Sequence, residues 1–60
     1  MAMTRGMAER VYDRARADGY RASLSQRGQR YIVHVRTETC GDIGEEIASL
    51  REYHAWRNAQ

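Results

Sequence analysis

This 60-residue chain has no lysine, no phenylalanine and no proline, and it has one cysteine, Cys40. A single cysteine excludes an intrachain disulfide. Together with the lack of any disulfide framework it points to a reducing compartment, so a cytoplasmic location is expected. Valine, isoleucine and leucine together number only eight, and without phenylalanine they cannot build a large aliphatic core. Their share lies below the roughly 20% level under which chains tend toward disorder. The net charge is only +2, however, so self-repulsion does not hold the chain open. Four tyrosines, three methionines, one tryptophan and the alanines must supply the remaining core. A core this small predicts marginal stability, a homodimer, or stabilisation by a partner. No apolar run reaches the length of a membrane span, and residues 1–6 hold no apolar run of signal-peptide length.

All ten basic residues are arginine. Planar guanidinium groups suit phosphate, carboxylate and aromatic partners, and a GC-rich genome would also favour arginine, alanine and glycine. Eight carboxylates are interspersed among the arginines. A dedicated DNA-binding domain is usually more lopsided in charge.

There is no repeat and no low-complexity tract, so residues 1–60 read as one domain. A first helix is expected over about residues 5–18. Thr4 serves as its N-cap, and Gly19 suits the left-handed position that closes a helix. Met7, Ala8, Val11, Tyr12 and Ala15 share one face of it at helical spacing. Strict alternation then marks two strands, over about 20–25 and 30–37. Tyr20, Ala22 and Leu24 alternate with Arg21, Ser23 and Ser25; Tyr31, Val33 and Val35 alternate with Arg30, Ile32, His34 and Arg36. Taking Arg27-Gly28 as a two-residue turn, or Gln26 to Gln29 as a four-residue loop, sets Leu24 opposite Tyr31, Ala22 opposite Val33 and Tyr20 opposite Val35, all on one face. A second helix is expected over about 42–57, with Asp42 and Glu45 spaced as a capping pair and a narrow stripe of Ile43, Ile47, Leu50 and His54.

The expected fold is therefore α+β, a single small α-β-β-α domain in which two helices pack on one face of an antiparallel hairpin. Its expected core is Met7, Val11, Tyr12, Ala15, Tyr20, Leu24, Tyr31, Val33, Val35, Ile43, Ile47 and Leu50. Two strands alone make a weak sheet, so a strand edge or the Ile32 patch could pair with a second copy, giving a homodimer.

Catalytic equipment is sparse. Cys40, with His34 or His54 as its base, is the only nucleophile candidate, and no spacing supports a triad. The same three residues lack the paired spacing of a metal site. Gly41-Asp42-Ile43-Gly44 is too short for a phosphate loop and carries an acidic residue where phosphate would sit. The expectation is no enzyme, no cofactor and no metal. Two surface features remain. The polar hairpin face gathers Arg21, Arg27, Arg30, Ile32, His34 and Arg36, suited to charge-assisted bonds with carboxylates or phosphates. Tyr53 and Trp56 on the second helix are of the types that anchor protein interfaces, although Trp56 could equally fold back over the core. These features predict a regulatory binding module that occupies a surface of a protein or protein–nucleic-acid partner, as a phage or mobile-element inhibitor of a host complex would. The alternative is direct nucleic-acid binding through the arginine face.

The run Gly19-Tyr20, Ala22, Leu24, then Gly28, Tyr31, Val33, Val35 resembles the helix–strand–strand–helix centre of SPOR domains, which bind bacterial cell-wall glycans. The resemblance covers roughly residues 8–52. The chain departs from that family in lacking a strand before the first helix, a good last strand and an export signal, so the glycan function is not transferred. The element order also resembles a shortened double-stranded-RNA-binding domain, without its third strand and without the basic start of its last helix.

Overall fold

A computed structural model describes residues 3–37 and 44–60. The order of elements is helix α1 (Arg5–Ala17), strands β1 (Arg21–Arg27), β2 (Arg30–Arg36) and β3 (Glu45–Ile47), and helix α2 (Leu50–Asn58). The three strands form one antiparallel sheet in the order β1-β2-β3. The protein is a small α+β domain, as expected, with one more strand than the alternation in the sequence revealed.

Helix α1 starts where the Thr4 hydroxyl accepts a hydrogen bond from the Met7 N–H (3.3 Å). It ends in a Schellman motif: the Gly19 N–H reaches the Arg16 carbonyl and the Tyr20 N–H reaches the Ala15 carbonyl, with Gly19 at φ +92°. Ala8, Val11 and Ala15, at three- and four-residue spacing, are buried against the sheet.

The hairpin register differs from the expected one by two residues. Ala22 faces Val35, Leu24 faces Val33 and Gln26 faces Tyr31. The turn is Gly28-Gln29, not Arg27-Gly28. Gly28 has φ +64° and no non-glycine residue among those described has positive φ, which matches a type II′ turn with glycine in its first central place. A slip of two keeps every side chain on its face, because strand periodicity is two. Alternation alone therefore cannot separate the two registers, and turn chemistry decides between them.

The second correction concerns residues 42–57. In place of one long helix, Glu45–Ile47 pairs with β2, Ile47 against Val33, Glu46 against His34 and Glu45 against Val35. The exposed edge of β2 carries backbone groups that need partners, and this short strand supplies them. Gly44, at φ +75°, cannot continue a helix. The cap of α2 is Ser49, whose hydroxyl accepts from the Glu52 N–H (3.1 Å), while Glu52 accepts from the Ala48 N–H (2.6 Å). Asp42, Ile43 and Cys40 lie outside the described residues. Replacing Ser49 with alanine is expected to cost about 1 kcal/mol in a urea titration, with the transition slope unchanged.

The later helix start rotates its inner face. Tyr53 becomes a core residue and His54 is exposed, the reverse of the expected stripe. The core is Met3, Ala8, Val11, Ala15, Val33, Val35, Ile47 and Tyr53, bordered by Met7, Tyr12, Tyr20, Ala22, Tyr31, Leu50 and Trp56. Met3, absent from the expected core, bridges to Tyr31 and continues the lane of β3. Leu24, expected inside, is 40% exposed because β1 is an edge strand that α1 covers only in part.

Candidate functional site

Both helices lie on the sheet face that carries Val33, Val35 and Ile47. The other face displays Arg21, Arg27, Arg30, Ile32, His34, Arg36 and Glu46, because strand neighbours alternate sides. The register sets Arg21 directly opposite Arg36, and Arg27 directly opposite Arg30. Like charges in cross-strand pairs destabilise a sheet, so this face carries repulsion that a negative partner would relieve. Arg27 forms an ion pair with Glu46 (2.7 Å). Arg27 sits beside Arg30 and Glu46 beside His34, so the pair spans the face diagonally across the Ile32 position. Both partners are exposed, and such a pair is worth at most about 1 kcal/mol.

The Arg21–Arg36 pair opens onto a groove of about 710 Å³, lined by Arg16, Gly19, Tyr20, Arg21, Ala22, Ser23, His34 and Arg36. Three guanidinium groups and an imidazole thus share the lining of one groove among the described residues. Arg16 is fixed from the helix side, where its Nη1 donates to the Tyr12 hydroxyl (3.0 Å) and its guanidinium lies 5.6 Å from the centre of that ring. Arg16 was not among the residues expected from the sequence. The signal for it was present, since a helix closing at Gly19 turns the chain back and brings residue 16 beside residue 21.

The structure separates the two surface features expected to act together. Tyr53 is fully buried, and its hydroxyl donates to the Asp18 carboxylate, so it is not a surface anchor. Trp56 is half-buried, packed edge-on to Tyr20 at 4.7 Å and tilted against Tyr53 at 6.3 Å. Its remaining surface borders a different cavity, which also contains Glu45, Glu46 and Glu52. Among the described residues, arginines therefore gather at the start of β1 and carboxylates along β3 and the first turn of α2.

Asp18, Tyr53, Arg14 and Arg57 form a second polar cluster, with Arg14 and Arg57 at 3.4 and 3.7 Å from the Asp18 carboxylate. The Tyr53 hydrogen bond chiefly, joined by the Arg57 and Arg14 guanidinium groups, holds the Asp18 carboxyl below its ordinary pKa against the opposing effect of burial. Burial, reinforced by the Asp18 carboxylate, pushes the Tyr53 hydroxyl well above its ordinary value. This cluster joins the end of α1 to α2. His34 and His54 lie on opposite faces of the sheet, so the geometry does not bring them together as a pair. Among the described residues no three His, Cys, Asp or Glu side chains group as metal ligands, and no helix is long and apolar enough to cross a membrane.

Fold and site together define a small α+β domain with an open arginine-bearing sheet face. Comparison with known protein families, with curated proteins and with solved structures finds no match to this chain.

Proposed function

We propose that this protein is a small non-enzymatic binding module that acts by occupying a carboxylate-bearing surface of a protein partner, through Arg16, Arg21 and Arg36. The observation that supports this reading is the directly opposed Arg21–Arg36 pair, which lines one groove together with Arg16. Arginine forks bind carboxylates bidentately, and each such bond is stronger than a neutral one. Occupying a partner's surface in this way makes the module a regulator or inhibitor of that partner.

Direct nucleic-acid binding by the same arginines is the competing reading. The order α-β-β-β-α favours it, because β3 supplies the third strand that a double-stranded-RNA-binding domain has. Three features weigh against it. The start of α2 carries Glu52, and β3 carries Glu45 and Glu46, all of which repel phosphate. The four tyrosines and the tryptophan all pack in or against the core, which leaves little of their ring faces for bases to stack on. The net charge is only +2.

The test compares polyglutamate, an RNA duplex and single-stranded DNA by fluorescence anisotropy at about 0.15 M salt, where exposed charges beyond about 8 Å are screened. Polyglutamate is expected to bind, and the Arg21→Glu plus Arg36→Glu double variant to lose that binding while keeping its circular dichroism spectrum. Tighter binding of either nucleic acid, falling steeply with added salt as counterions are released, would refute the protein-docking reading.

A further inference from the structure

We propose that two copies of this chain pair through the free edges of β1, antiparallel about a two-fold axis at Ser23, into one six-stranded sheet. This pairing uses a different surface from the arginine face and stands or falls apart from the docking reading above.

β1 ends the sheet, and its side away from β2 pairs with no other strand among the described residues. The outer edge of β2, by contrast, is covered by β3 and by the Met3 bridge. Arg27 and Arg30 flank the two-residue turn as the hydrogen-bonded pair that closes it. Counting back in alternation, Ser25, Ser23 and Arg21 also bond inward to β2. Ala22, Leu24 and Gln26 therefore direct their N–H and C=O groups outward, where an added strand uses them. Folded proteins blunt such edges with proline, bulges, mid-strand charges or very short strands. β1 runs for seven residues, pairs with β2 one to one without a bulge, and carries its charges only at its two ends.

Outward residues must meet outward residues, which leaves few two-fold registers. Centred on Leu24, the strands set Arg21 opposite the other copy's Arg27 twice, like charge on like charge. Centred on Ser25, they set Leu24 against Gln26. Centred on Ala22, only residues 21–23 of each β1 overlap. Centred on Ser23, Leu24 of each copy lies opposite Ala22 of the other, Arg21 opposite Ser25, Arg27 opposite Gly19, and Ser23 opposite its own counterpart. Leu24 is 40% exposed and is the one exposed large hydrophobic residue among those described. This register covers it with an apolar neighbour and sets no arginine directly against another. An unrelated strand would use the same backbone groups, but the two-fold match of Leu24 with Ala22 is a property of this sequence.

α1 packs on β1, so its flank enters the same seam. It contributes Arg16, Glu9, Asp13 and Arg5 to the depressions along β1, two charges of each sign. The net charge of +2 per copy opposes association only weakly. At about 3.4 Å per residue the seven residues of β1 extend roughly 24 Å, and the molecule is 17 Å across. That flank is about 400 Å² in outline on each copy, and side-chain relief brings the total to about 1,000 Å², the class of weak, reversible interfaces. The two-fold axis stands perpendicular to the sheet, so both open faces point the same way and present the Arg21–Arg36 pair twice on one surface.

Sedimentation equilibrium from about 5 µM to about 1 mM tests the pairing. The mass is expected to rise reversibly from the 7.0 kDa of one chain toward twice that value, while the amides of Ala22, Leu24 and Gln26 gain protection from exchange. Leu24→Lys puts a charge on the edge while its stem still lies along the apolar surface. It should weaken the dimer at least about tenfold with an unchanged circular dichroism spectrum. If Leu24→Lys does not fold, cross-linking decides. In a Cys40→Ser background, Ser23→Cys sets two thiols at a non-hydrogen-bonded pair with Cα atoms about 4.5 Å apart, within reach of a disulfide. It should oxidise to a covalent dimer faster than Leu24→Cys or Ser25→Cys. A monomer at every concentration, a dimer that a folded Leu24→Lys variant leaves intact, or fastest cross-linking at residue 24 or 25 would each overturn the pairing. A monomer that binds polyglutamate would overturn it and leave the docking reading standing. A dimer of this register that ignores polyglutamate would do the reverse.

Discussion

Replacing Gly44 with alanine is expected to detach β3 and remove about 2–5 kcal/mol of stability, a large part of the roughly 3–9 kcal/mol available to a domain of this size. Two costs combine. Gly44 lies at φ +75°, where an L side chain costs about 1–2 kcal/mol. An added Cβ would also stand 2.5 Å from the Val35 carbonyl oxygen, 2.8 Å from the Arg36 Cβ and 2.9 Å from the His34 Cε1. The nearest atom is backbone, so no change of rotamer relieves it, and displacing packed atoms costs a further 1–3 kcal/mol or about that. The loss should be local in its signature. Val33 and Val35 bond outward to Ile47 and Glu45, whereas Ile32 and His34 bond toward β1. Hydrogen exchange should therefore accelerate first at Val33 and Val35. Gly6→Ala is the control: its added Cβ meets nothing within 4 Å and its place is helical, so it should be neutral or stabilising by up to about 1 kcal/mol. If Gly44→Ala melts like Gly6→Ala, the close approach of residue 44 to β2 is wrong.

Tyr53→Ala is expected to remove about 3–5 kcal/mol in a urea titration, much of the stability of so small a domain, because it empties a fully buried aromatic site. Tyr53→Phe keeps the ring and isolates the hydroxyl. It should cost about 1–3 kcal/mol, the range for a hydrogen bond to a charged group. The two variants also separate by pH. The Tyr53 pKa is raised in the folded state, so its contribution is complete below the ordinary tyrosine value of 10.0 and declines as pH rises above it. Asp18 has a lowered pKa in the folded state, so its contribution is complete above the ordinary value of 3.8 and declines as pH falls below it. Urea midpoints of the wild type should thus fall on both flanks. Tyr53→Phe should flatten the alkaline flank and weaken the acid one, since the hydroxyl is the main cause of the lowered Asp18 pKa. An alkaline flank unchanged in Tyr53→Phe would mean that another group produces it.

The legible parts of the fold were those written in local chemistry. Thr4 and Gly19 bound α1 because a hydroxyl and a missing Cβ satisfy helix ends wherever the rest of the chain goes. Alternation placed the side chains of residues 21–25 and 30–36 on their observed faces, while Gln26 and Arg27, expected in the turn, extend β1. The arginine face was legible for the same reason. The Ser49–Glu52 cap was also there to be read, but the equally spaced Asp42–Glu45 pair competed with it, and spacing alone does not rank two caps. Glu45-Glu46-Ile47 has no strand propensity to betray it, since two of its three residues are depleted in strands. It becomes a strand because β2 leaves backbone groups unpaired at that edge.

From the sequence alone came the class of fold, the extent of α1, the two faces of the hairpin and the concentration of arginine on one of them, all properties of periodicity and composition. The tertiary structure decided the rest. It set the register through the Gly28 turn, and with it the opposition of Arg21 to Arg36. It supplied β3, turned Tyr53 inward onto Asp18, and brought Arg16 to the groove that the sheet face alone did not contain. Each of these joins residues distant in the chain or faces that local rules leave equivalent, and packing and backbone pairing are what separate such alternatives.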